Sequence, residues 1–178
     1  MGGKHFKNDD AFIRTAVRDV KRLERLAGLT AESRLLDWGC GAGRLAVGVR
    51  EHFPNRRIAD YHGVDIQPDL ISWARENLTA PGFRFTCVDV ANERYNPAGL
   101  PDRTLAADPE SVDVFYAYSV FSHMNDDDTA AYRTNRVYLE SDFVPLTSVM
   151  SEMGRVIAFV VKQTISQNWI GETGKGYL

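Results

Sequence analysis

The sequence predicts a Rossmann-like α/β fold, a mainly parallel sheet with helices on both faces, and two observations carry that prediction. A short apolar strand, Arg34 to Asp37, runs directly into a glycine turn and then into a helix with Leu45, Val49 and Phe53 at four-residue spacing. A second strand, Tyr61 to Asp65, leads into another helix, and apolar runs recur at Val112 to Tyr118 and Arg155 to Val161, the pattern of strands buried on both faces.

Each element follows from local signals. Phe12, Ile13, Ala16, Val20, Leu23 and Ala27 form one apolar helical face, with Asn8 to Asp10 as capping material and Gly28 as the stop. Pro68 and Asp69 open the helix after the second strand, whose apolar side is Leu70, Ala74 and Leu78. Gly82 turns the chain into a third strand, Phe83 to Val90, and Asn96 to Glu110 is dense in Pro, Gly and Asp, as a surface loop should be. Asp126, Asp127 and Asp128 suit the first turn of a helix. Pro145 interrupts any helix between Arg133 and Leu146, and Arg155 to Val161 is expected as a fifth, parallel strand. Ligands of such sheets bind beyond the carboxyl ends of the strands, so Asp37, Asp65, Asp89 and Ser119 should converge on one crevice.

Composition narrows the function classes. At 178 residues and 44% hydrophobic content the chain supports one core, and a single domain over residues 1–178 is expected, with 163–178 as a tail. Lys and Arg number 21 against 24 Asp and Glu, a formal net charge of −3, which gives no broad cationic field for nucleic acid or anionic lipid. The opening residues MGGKHFKNDD lack the apolar stretch of a secretion signal, and the longest apolar run, Val156 to Val161, is too short to span a bilayer. A cytoplasmic protein is expected. Cys40 and Cys87 show no metal-ligand spacing and are expected to be small buried thiols.

The glycine turn discriminates among ligands by its spacing. A P-loop needs GxxxxGK[ST], but Gly43 is followed by Arg44 and Leu45. A dinucleotide fingerprint needs a third glycine where Arg44 stands, which disfavours an NAD-linked oxidoreductase. What stands here is Asp37-Trp38-Gly39-Cys40-Gly41-Ala42-Gly43, an acid two residues before a GxGxG turn. That pattern resembles motif I of the class I S-adenosylmethionine-dependent methyltransferases.

The resemblance implies the class I methyltransferase fold, S-adenosyl-L-methionine as cofactor and an unidentified small-molecule methyl acceptor. The cofactor carries a sulfonium and an ammonium against one carboxylate and no phosphate, so a site lined with carboxylates suits it. In the family Asp37 would receive the methionine ammonium, while Gly39, Cys40, Gly41 and Gly43 let the backbone approach the sulfur and ribose. Asp65, with Ile66 beside it, would accept the ribose hydroxyls; Asp89 would accept from the adenine amino group and the Val90 N–H would meet a ring nitrogen. Each acid also has a structural reading: Asp37 capping its turn, Asp65 capping the helix at Pro68, Asp89 in an Asx turn.

Asp113 to Met124 resembles motif IV of the same superfamily, particularly its small-molecule branch. There a carbonyl near Tyr118 would receive the methionine ammonium, and Phe121 and His123 would stand near the transferable methyl group. His123 is the candidate acceptor-side base, since an imidazole with pKa near 6.5 can take a proton from a hydroxyl or amine. No catalytic metal is needed, because the sulfonium is already activated. Residues 1–30 would form an N-terminal helical lid through Phe6, Phe12 and Arg14, with plain helix packing as the other reading.

The likeness fades beyond Met124. Ser148 to Gly154 replaces the sequence that relatives carry before the fifth strand, and the expected sheet lacks the family's C-terminal antiparallel hairpin. An exposed edge, a second copy of the chain covering it as a homodimer, or an altered acceptor pocket are the readings left open. A protein that binds S-adenosylmethionine without catalysis is the alternative function.

Overall fold

A computed structural model of the chain describes residues 8–53, 58–101, 111–120, 143–148 and 157–162. The elements are α1 (Asp9–Ala27), β1 (Arg34–Trp38), α2 (Arg44–His52), β2 (Asp60–Asp65), α3 (Pro68–Asn77), β3 (Phe83–Cys87), β4 (Val114–Tyr118), β5 (Phe143–Ser148) and β6 (Ile157–Lys162). They build one six-stranded sheet in the order β3-β2-β1-β4-β6-β5, flanked by helices in a Rossmann-like arrangement.

The helix ends form where the sequence placed them. The Asn8 side chain accepts from the Ala11 N–H at 2.8 Å, and Gly28 closes α1 with φ 64, a left-handed conformation that glycine adopts without strain. Pro68 occupies the first turn of α3. Of the expected apolar side of α3, Ala74 and Leu78 are buried, while Leu70 is only half-buried and Ile71 takes the buried place beside them. The third strand ends at Cys87, which leaves Asp89 and Val90 in the loop beyond it. The candidate helix at Asp126 to Asp128 lies outside the described residues.

One side of the sheet carries the main core. Leu35, Tyr61, Phe85, Val114 and Tyr116 pack with Val20 and Leu23 of α1, Leu45 and Val49 of α2, and Ile71 of α3. Burying each such side chain contributes roughly 1.5–3 kcal/mol. The other side, with Leu36, Trp38, Val64, Phe115 and Ala117, is buried as well, which is why these strands read as apolar runs without alternation. Helix α1 lies against α2 at Gly48, where a Cβ would come within 2.5 Å of the Ala16 carbonyl oxygen.

Strand order reverses between β1 and β4. β1 pairs in parallel with both β2 and β4, and the Arg34 guanidinium clasps Asp113 through Nε at 3.0 Å and Nη2 at 2.6 Å at the start of β1 and β4. The far end of the sheet corrects an expectation: residues 157–162 run antiparallel to β4, and β5 pairs antiparallel with them, with Pro145 opposite Val160. An antiparallel pair therefore closes this edge after all, in an atypical form built from residues 143–162. Pro145 sits in the edge strand, where a missing N–H is tolerated.

His62 lies on the second side of the sheet. One ring nitrogen bonds the Thr86 hydroxyl at 2.8 Å, and Nδ1 has no hydrogen-bond partner among the described residues. Burial first, and then the Arg84 charge, push its pKa down to about 4 against the opposing pull of Asp60. The neutral imidazole's contribution to stability is thus complete above pH 6.5 and is lost as pH falls toward 4. Urea unfolding at pH 7.5 and pH 5 should show the native protein losing about 1–2 kcal/mol more than His62→Gln. For Gly48→Ala, the clash with the Ala16 backbone should outweigh the roughly 1 kcal/mol gain in helix propensity, giving a net loss of about 1–3 kcal/mol. A stabilised Gly48→Ala protein would show that α1 and α2 can move apart.

Candidate functional site

The site grows from the carboxyl end of β1. Asp37 pairs in register with Gly63 of β2 on one side and Tyr116 of β4 on the other. It is only 2% exposed, and the Tyr61 hydroxyl donates a short hydrogen bond to its Oδ2. Burial pushes its pKa up to about 7; the Tyr61 hydrogen bond and the Arg44 charge oppose that rise, while Asp65 and Asp19 add to it. Gly63, the register partner of Asp37, lets Phe85 and Cys40 pack directly on the strand, since a Cβ there would fall 2.7 Å from Phe85 and 3.0 Å from the Cys40 sulfur.

After Trp38 the backbone turns sharply. Gly39, Gly41 and Gly43 all have positive φ, at 75, 56 and 79. The Gly39 and Cys40 N–H groups both donate to the Val64 carbonyl, at 2.7 and 3.0 Å, tying the turn to β2. Gly39 is pressed against Val120 at the end of β4, where a Cβ would lie 2.3 Å from that side chain. At Gly41 a Cβ would meet nothing within 4 Å, so that side of the turn is open to close approach.

Asp65 stands across from this open side. Its Oδ2 accepts from the Gly41 N–H at 2.8 Å and its Oδ1 from the Gln67 N–H at 3.0 Å. Asp65 therefore does help to shape the entry to α3, yet each carboxylate oxygen retains acceptor capacity for a further hydroxyl. Ile66 beside it is half-buried. Asp89 is exposed; its Oδ1 accepts from Asn96 Nδ2 at 3.0 Å and its carbonyl from the Leu100 N–H at 3.0 Å. Val90 is buried, and among the described residues no hydrogen bond uses its N–H.

Tyr118 ends β4 next to Ser119, whose φ of 59 marks a sharp turn in the chain at the crevice. The Arg44 guanidinium lies over the Tyr118 ring at 4.6 Å, donates to Asp19 Oδ2 at 2.6 Å and to the Tyr116 hydroxyl at 3.2 Å. Burial works against the Arg44 charge, but Tyr116 and Asp19 more than offset it and its pKa is raised, so it stays charged. Cys40 is buried and its thiol pushed up by burial and then by Asp37, which fits packing rather than nucleophilic chemistry. Cys87 is only half-buried.

The structure thus brings Asp37, Gly39, Cys40, Gly41, Gly43, Asp65, Ile66 and Tyr118 around one turn, with Asp89 and Val90 beyond β3. His123 and Phe121 lie outside the described residues, as does Phe6. Phe12 is buried and Arg14 exposed on α1, which packs against α2. Sequence reasoning missed Asp19 and Tyr61. Asp19 had a signal: it is an acid on the apolar stripe of α1, between Ala16 and Leu23. Among the described residues no group of three or more His, Cys, Asp or Glu side chains forms a metal cage, and no helix is long and apolar enough to cross a membrane.

The donor set fits S-adenosylmethionine. Acids stand at the carboxyl ends of β1 and β2 and just beyond β3, and Arg44, the cation that follows the turn, is engaged by Asp19 and Tyr116 instead of being offered to a phosphate.

Residues 36–141 match the family described as a methyltransferase domain, and residues 117–178 match a domain of unknown function. The chain is 30% identical over 95 residues to malonyl-[acyl-carrier protein] O-methyltransferase of Acetivibrio thermocellus, a match covering 52% of this chain and 32% of that protein. It therefore spans about a third of that relative's length. Two solved structures are similar at 12% identity: a TehB-like SAM-dependent methyltransferase from Corynebacterium glutamicum, with a TM-score of 0.45 over 83% of this chain and 86% of that one, and the putative methyltransferase in complex with the Haloferax volcanii Trm112 activator, with a TM-score of 0.49 over 86% and 93%. With the glycine turn and all three acids inside a matched stretch that spans more than half of it, the chain belongs to the methyltransferase-domain family, as a class I S-adenosylmethionine-dependent member with an atypical C-terminal part.

Proposed function

We propose that this chain transfers the methyl group of S-adenosyl-L-methionine to a small-molecule acceptor. The observation that carries the reading is the meeting of Asp37, Asp65 and the open side of Gly41 at the β1/β4 reversal. The cofactor, when bound, supplies an electrophilic methyl on a sulfonium. The chain's own residues bind and orient it: Asp37 and the Tyr118 carbonyl would face the methionine ammonium, Asp65 the ribose hydroxyls, and Asp89 with the Val90 N–H the adenine edge. His123 is proposed to take the proton from a hydroxyl or amine acceptor, a step typically worth about 10² to 10⁴ in rate.

A second reading, cofactor binding without catalysis, is favoured by the antiparallel placement of β6 directly beside β4, which changes the sheet on the acceptor side. Calorimetric titration with S-adenosylmethionine, S-adenosylhomocysteine and NAD tests the cofactor. Folded protein that binds neither adenosyl sulfur compound would sink both readings. Methyl transfer to any member of a panel of hydroxyl, amine and carboxylate acceptors excludes the second.

Asp65→Ala should weaken S-adenosylhomocysteine binding by about 1–3 kcal/mol, because ribose hydroxyls lose their acceptor and the Gly41 N–H loses its own. Asp89→Ala, at an exposed position, should cost less than about 1 kcal/mol in the same titration. Equal losses at the two positions would mean that the ribose and adenine ends are misassigned.

A further inference from the structure

The backbone ladder between β1 and β4 stops short of Tyr118. It ends at Trp38 and Ala117, and Tyr118 pairs with Ile157 of β6 on its other side. Side chains bridge the gap. Arg44, the first residue of α2 and the one that follows Gly43, lays its guanidinium over the Tyr118 ring at 4.6 Å and donates to the Tyr116 hydroxyl at 3.2 Å. The Tyr116 and Tyr118 rings, two residues apart on β4, lie nearly parallel at 6.4 Å. Asp19 aims the guanidinium. It is the single charged residue on the buried face of α1, 2% exposed, and it accepts from Arg44 Nη1 at 2.6 Å and from the Tyr116 hydroxyl at 3.1 Å. Arg18 and Arg22 approach its other oxygen no nearer than 3.7 and 4.0 Å.

Packing alone does not call for these charges. Desolvation offsets most of the attraction in a buried ion pair, and apolar side chains of similar volume pack a helix as well. What apolar groups do not supply is direction: a guanidinium fork bonded to one carboxylate and one hydroxyl is held in one orientation. We propose that Asp19 is a positioning residue for the cofactor: through Arg44 it fixes the Tyr118 end of β4 against the glycine turn, at the spacing that the cofactor's methionine portion spans. This rests on the reading that the turn and the Tyr118 carbonyl face that portion. The ribose and adenine end depends on other bonds, since Asp65 is held by the Gly41 and Gln67 N–H groups and Asp89 by Asn96, outside the Asp19 cluster.

The test removes the whole cluster at once, so that no member is left buried without its partner. A protein carrying Asp19→Leu, Arg44→Met and Tyr116→Phe together should unfold at a urea concentration no lower than the native protein. Its affinity for S-adenosylhomocysteine should nonetheless fall by about tenfold or more, while that for methylthioadenosine, which keeps the ribose and adenine and lacks the amino-acid end, should stay within about twofold. A merely structural role would weaken both ligands by the same factor. That result, or native affinity for S-adenosylhomocysteine in the folded variant, overturns the proposal and leaves the cofactor reading intact. If the combined variant does not fold, Tyr116→Phe takes its place, since it removes one hydroxyl and keeps the ring; the expected loss is then about threefold for S-adenosylhomocysteine and none for methylthioadenosine. If the native protein binds methylthioadenosine too weakly to measure, the S-adenosylhomocysteine affinity of the folded variant decides alone. Folded native protein that binds neither ligand overturns the cofactor reading itself.

Discussion

Asp37 is a carboxylate almost without contact with water, set in the sheet between Gly63 and Tyr116, and an unpaired charge there would cost several kcal/mol. Its neighbours are arranged around that cost. Tyr61 donates to it, and Arg44 brings the opposing charge from the first residue of α2. Arg44 is itself buried and needs Asp19, so the demand passes outward to α1, a helix that precedes β1 in the chain. A single acid at a strand end thus accounts for polar contacts on four elements.

The same strand end fixes the turn. Gly39 must pass Val120 closely and Gly43 must pass Leu78, and both do so with positive φ, which other residues reach only with strain. Asp65 then takes hold of the turn through the Gly41 N–H. The carboxylate that shapes the empty turn and the carboxylate that suits a ribose are one group, so the structural and functional readings of Asp65 do not compete.

Much of this was legible in the sequence, because it depends on short spacings. An acid, a GxGxG turn and a four-residue apolar repeat lie within 17 residues, Asp37 to Phe53, and local periodicity suffices to place them. The ends of β2 and α3 follow from Asp65 and Pro68 in the same way. The direction of β6 was not legible. Its apolar run fits a buried strand of either sense, and only pairing with β4, some forty residues earlier in the sequence, decides it. Likewise the bond between Asp19 and Tyr116 joins residues 97 apart, beyond the reach of any periodicity, although an acid on an apolar stripe advertised that a partner must exist.

The edge strand β5 has a consequence for association. A sheet border presents a row of backbone donors and acceptors onto which another chain can add itself. In β5 that row is broken within its length at Pro145, which has no N–H to offer. Extending the sheet by one more strand would leave a gap in the ladder at that point. A proline within an edge strand is one of the features that disfavour the addition of a further strand.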